Sequence, residues 1–97
     1  SNAYGSYTSW NVFENQAIAA VNSGKALWLS SFGDTWDWNG RQSFVAKHVF
    51  AITDYDYYTG SFTFVNPWTP SNTHNQTFTA RWSELATLGI DPTVSWA

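Results

Sequence analysis

An α+β domain, with an amino-terminal helix packed on a twisted antiparallel β-sheet, is predicted by three features of this 97-residue sequence. Apolar residues recur at helical spacing before Gly24 and alternate at strand spacing after it. Glycines and prolines cut the second part into short segments. Seven Trp and seven Phe, within an aromatic content of 20%, supply the bulk for one dense core. A chain of this length builds one small domain with little surplus for a second core. Ser1-Asn2-Ala3 reads as the remnant of an expression tag, and residues 4–97 read as a single domain or lobe.

Phe13, Ala17, Ala20 and Val21 set the period of a helix over residues 11–22, with Glu14 closing a capping box on Asn11 and Gly24 as its C-cap. KALWLSSF, residues 25–32, follows as a short apolar strand, and the glycine-bounded GDTWDWNG, residues 33–40, as a loop. A β-hairpin comes next, with strands over 46–54 and 61–65 and a turn through Tyr57, Tyr58, Thr59 and Gly60. The polar run TPSNTHNQ forms a further loop that leaves His74 exposed. FTARW, residues 78–82, alternates as a strand should. Ser83 is then expected to cap a short helix, SELATL, ended by Gly89, and the tail TVSW to return to the sheet edge.

Composition narrows the function classes. Only four Lys and Arg within a net charge of −3 argue against binding a phosphate backbone, which requires clustered cations, so nucleic acid is not an expected partner. There is no cysteine, hence no disulfide, thiolate metal site or thiol nucleophile within these residues. An apolar run of roughly 18 residues, the length a membrane helix needs, is also missing. No membrane partner is expected.

The hairpin holds the one constellation with chemistry. Alternation places His48, Phe50 and Ile52 on one face of the first strand, and Phe62, Phe64 and Asn66 on one face of the second. A turn centred near Tyr57 sets residue 52 opposite 62, 50 opposite 64, and 48 opposite 66. His48 and Asn66 are then direct neighbours, with Cβ atoms about 4.5–5.5 Å apart. At that distance the Asn oxygen can accept from one imidazole nitrogen, fix the tautomer, and leave the other nitrogen to act as a general base. A Trp at position 68 would shield the bond from water. A lone His at a strand start more often serves structure than catalysis, so the pattern by itself leaves both readings open.

HVFAITDYDYYTGSFTFVNPW resembles the His-to-Asn segment of calpain-like cysteine peptidases, in which a histidine opens a strand, a YD-x-x-TG turn follows, and the asparagine stands in NPW. WNVFENQAIAAVNSGKALWLSSF is similar to the helix and strand before that family's gating loop, and FTARWSEL to the strand and turn after NPW. The resemblance covers most of the chain, from about Trp10 to Leu85. The sequence departs from the family at Thr69, where glycine follows NPW, and at Val49, where a small alanine follows the histidine.

The resemblance implies the β-rich lobe of a papain-like fold, with His48 and Asn66 as catalytic residues and Trp68 in support. It implies acyl transfer with a Cys thiolate supplied by an amino-terminal lobe that this chain lacks. Residues 33–42 would form a mobile flap, with Trp36 and Trp38 as peptide contacts; the same rings also suit hydrophobic pins for the loop. Asp34 and Asp37 are weak candidates for calcium, since two carboxylates without a third ligand suit solvated charge better, and no other cofactor is implied. Expected partners are a peptide or protein substrate, the missing Cys lobe, and a second copy of the chain through the exposed lobe interface. A non-catalytic peptide-binding module and an aromatic carbohydrate-binding domain remain as alternatives. Asn75-Gln76-Thr77 matches a glycosylation acceptor, a triplet that also arises by chance.

Overall fold

Helical spacing before Gly24 and strand spacing after it carry through into the three-dimensional arrangement. The computed structural model describes residues 3–5, 10–25, 27–31, 33–68, 70–87 and 93–96. Along the chain run β1 (Ala3–Gly5), α1 (Trp10–Asn22), β2 (Leu27–Ser31), β3 (His48–Asp56), β4 (Ser61–Val65), β5 (Thr77–Arg81), α2 (Trp82–Thr87) and β6 (Thr93–Trp96). The strands form one sheet in the order β1-β6-β2-β3-β4-β5, and every pairing is antiparallel. This is the expected α+β class, a helix on an antiparallel sheet.

Helix α1 starts at Trp10, so Asn11 is its second residue instead of its cap. The side chains of Asn11 and Phe13 lie outside the described residues. Its C-terminus does end on Gly24. There the Gly24 N–H donates to Val21 O and the Lys25 N–H to Ala20 O, while Gly24 takes φ +73°. That pair of bonds is a Schellman motif, and its left-handed residue suits glycine.

One face of the sheet carries the core. Leu27, Ile52, Phe64 and Phe78 lie in a row across four strands, Leu29 and Phe50 pair beside them, and Phe62 and Ala80 continue the layer. These side chains join Ala17 and Ala20 of α1 with Trp82 and Leu85 of α2 in one cluster. Each buried Phe or Leu contributes about 1.5–3 kcal/mol relative to exposure. On the opposite face Trp28 and Val49 are exposed.

Two expectations about register need correction. Strand β3 runs on to Asp56, which pairs with Ser61, and a four-residue turn closes the hairpin, with Gly60 N–H donating to Asp56 O at 2.7 Å and Gly60 at φ +73°. A β-bulge between Ile52 and Asp54 then shifts the pairing, so Ile52 faces Phe64 instead of Phe62. In the second, Trp82 begins α2 rather than ending a strand, and Ser83 lies inside the first turn. The helix is capped from Glu84, whose Oε1 accepts the Arg81 N–H at 2.9 Å. Gly89 lies outside the described residues, and the tail strand enters the sheet between β1 and β2 instead of at its edge.

Candidate active site

Lys47, immediately before β3, takes φ +55°, a conformation that non-glycine residues rarely adopt, and from it the chain enters the strand at His48. Extending the observed register beyond Ala51 and Val65 places Asn66 against Phe50, so His48 and Asn66 are diagonal neighbours, not the direct ones expected. A diagonal separation of about 7–8 Å between backbones is still within reach of long side chains. His48 Nε2 and Asn66 Oδ1 stand 2.8 Å apart.

The direction of this bond follows from its surroundings. Asn66 Oδ1 also accepts the main-chain N–H of Trp68 at 3.0 Å. An amide N–H can only donate, so the Asn66 atom facing it is the oxygen, and His48 Nε2 must carry the hydrogen. The neutral ring then presents its lone pair at Nδ1, which forms no hydrogen bond among the described residues. Asn66 is fully buried and its Nδ2 has no partner among them; His48 is half-buried.

The Trp68 ring packs beside the imidazole, with its centroid 4.4 Å from that of His48 at a 44° tilt. It is 43% exposed, so part of the indole packs on the imidazole and the rest meets solvent. Phe50 closes another side, edge-on to the imidazole at 5.1 Å. His74, expected to be exposed, is buried, packs edge-on against Trp68 at 5.4 Å, and keeps an unpartnered Nε2. Thr69 lies outside the described residues.

Residues 33–44, which include the flap expected over 33–42, are fastened at several points. Thr35 and Phe44 bond through their main chains, Asp37 bonds Arg41, and Gln42 bonds both Thr73 and Asn75. Phe44 drives its ring into the core, edge-on to Phe50, Phe64 and Phe78 at 5.4, 5.0 and 4.9 Å. Sequence reasoning missed this anchor, although the apolar Phe44-Val45-Ala46 directly after the polar Arg41-Gln42-Ser43 was its signal. At the tip, Trp36 is 61% and Trp38 93% exposed, so neither ring is buried in the core, and among the described residues the His48 ring packs on Phe50 and Trp68 and not on these two.

Both loop carboxylates are engaged with the chain itself. Asp34 Oδ1 accepts from Gln42 Nε2 and the Ala46 N–H. Asp37 accepts from the Asn75 side-chain amide and from the N–H groups of Arg41 and Asn39, and these bonds, led by Asn75, hold its carboxyl below the usual carboxylate range. Asn75 Nδ2 also donates to Ser43 Oγ, so the acceptor asparagine of the glycosylation triplet is tied into this network.

No family model, no curated protein and no solved structure matches this chain.

Proposed function

We propose that the chain is the His/Asn-bearing lobe of a calpain-like cysteine endopeptidase, able to hydrolyse peptide bonds only together with a Cys-bearing lobe that these residues do not contain. The observation that carries this reading is the His48 Nε2–Asn66 Oδ1 bond, with its direction set by the Trp68 N–H. That arrangement leaves Nδ1 as the proton acceptor a thiol would need. The thiol proton passes to Nδ1, the sulfur attacks the peptide carbonyl, and the imidazolium returns the proton to the departing amine. Water, deprotonated by the same nitrogen, then releases the acyl group from the thioester. Asn66 keeps the ring oriented throughout, and Trp68 limits water around the charged pair. The oxyanion donors would also have to come from the absent lobe.

The isolated chain is therefore expected to leave peptides intact. The test is casein or peptide cleavage by this chain, by a longer form carrying an upstream Cys lobe, and by that form with His48→Ala. Cleavage by the short chain would refute the dependence on a second lobe, and full activity of the His48→Ala form would refute the catalytic assignment. A second reading, aromatic recognition of a carbohydrate, is favoured by the exposed rings of Trp36 and Trp38. Retention on a polysaccharide gel that is lost in Trp38→Ala and kept in His48→Ala would support it instead.

A further inference from the structure

Asn66 has a built-in conflict. Its buried Nδ2 lacks a partner among the described residues, whereas its Oδ1 serves two donors, His48 Nε2 and the Trp68 N–H. A half-turn of the amide would give Nδ2 a partner in the imidazole. His48 Nε2 would then have to accept, the ring hydrogen would move to Nδ1, and the lone pair needed at Nδ1 would be lost. Within this set the Trp68 N–H opposes that half-turn, because it cannot face an NH2 group.

Gln76 holds the segment that carries this N–H. Its main-chain oxygen accepts the Asn66 N–H at 2.7 Å, and its side-chain Nε2 donates to Trp68 O at 3.3 Å. One residue thus grips both ends of the 66–68 turn, while the His74 ring, two positions earlier, packs against the Trp68 indole. We infer that Gln76 is a positioning residue for the His48–Asn66 pair, holding Trp68 so that Asn66 Oδ1 stays toward His48 and the ring stays in its Nε2–H form. The importance of that tautomer for catalysis rests on the peptidase reading. The tautomer itself is measurable in this chain without any catalysis.

Two substitutions separate positioning from packing. Gln76→Glu keeps the length of the side chain but offers no donor to Trp68 O; Gln76→Ala removes the grip. Both preserve the main-chain acceptor. The readout is the ratio of Nε2–H to Nδ1–H tautomers of His48 by nitrogen-15 NMR at about pH 8.5, where an ordinary imidazole is neutral. The Nε2–H form is expected to dominate in the unaltered chain. Its ratio is expected to fall roughly two- to tenfold in both variants, the range that loss of one hydrogen bond spans. Gln76→Lys, which restores a donor, is expected to recover it.

An unchanged ratio in folded Gln76→Glu would overturn the inference, as would a change confined to Gln76→Ala. If neither variant folds, the unaltered chain decides. A Gln76 side-chain amide with nuclear Overhauser contacts to Trp68 supports the grip, and one that averages freely refutes it. A failed peptidase assay would leave this readout standing, and a failed readout would leave the peptidase assay to be decided separately.

Discussion

Truncating Phe44 to alanine should undo the attachment of the 33–44 arm to the sheet. The ring is 1% exposed and meets three other phenylalanines edge-on within 5.4 Å. Removing such a side chain costs about 3–5 kcal/mol, through lost transfer energy and the cavity left behind. Edge-to-face aromatic pairs add about 0.5–1.5 kcal/mol each, part of which that range already contains. Against a domain stability of about 5–15 kcal/mol this is a large fraction. With a urea slope of about 1.5 kcal/mol per molar, the unfolding midpoint should drop by about 2–3 M. Phe44→Leu, which refills most of the space, should lose less than half as much. The assay is urea unfolding followed by circular dichroism. A midpoint shift below about 0.5 M for Phe44→Ala would show that the ring is not part of the core and that the arm is held by its hydrogen bonds alone.

Three further outcomes follow from the same geometry. Asn66→Ala leaves His48 and the Trp68 N–H without their acceptor and should cost about 1–3 kcal/mol in urea unfolding; a neutral result would mean that water replaces the amide without penalty. Trp38→Ala, at a 93% exposed position, should change stability by less than about 0.5 kcal/mol. In a two-lobed form it should raise KM with kcat held, and an equal fall in kcat and kcat/KM would place Trp38 at the transition state instead. The Asp37 carboxyl lies below its ordinary 3.8 in the folded chain, so its stabilisation is present above that value and is lost as pH falls through the lower folded value. Asp37→Asn should therefore be less stable than the unaltered chain at pH 7, with the gap closing in acid below 3.8. A gap that stays constant with pH would remove the carboxylate from the network.

The elements were legible in the sequence where local chemistry decides them. Gly24 stops α1 because a left-handed residue is needed there, and the alternating Phe62 and Phe64 fill one face of β4, with Asn66 just past its end. Register was less legible. A bulge near Thr53 and a turn that closes at Asp56 leave no simple periodic mark, and together they moved the pairing by two residues. The His48–Asn66 contact survived the error because diagonal neighbours also touch. His74 was misread because burial there is a long-range event. Its loop is polar in composition, yet Gln42 pairs with Thr73 and Asn75 and draws the segment against the arm. The same docking adds the Asn75 amide to the Asp37 carboxylate, whose bonds to the Asn39 and Arg41 N–H groups are a local turn of the kind an Asp-x-Asn-Gly run favours, whereas the Asp34 donors, Gln42 and Ala46, lie too far along the chain for a local reading to find.

Proton transfer from a thiol to His48 is the step on which the peptidase reading depends, and alkylation measures it directly. With a Cys-bearing papain-like lobe supplied, fused to this chain or added to it, the rate of iodoacetamide modification is followed from about pH 4 to 10. A thiol paired with His48 should react as a thiolate well below the ordinary cysteine value of about 8.5, and His48→Ala should return its titration to that range. A thiol that titrates near 8.5 both with and without His48 would contradict the assignment of this histidine as its proton acceptor.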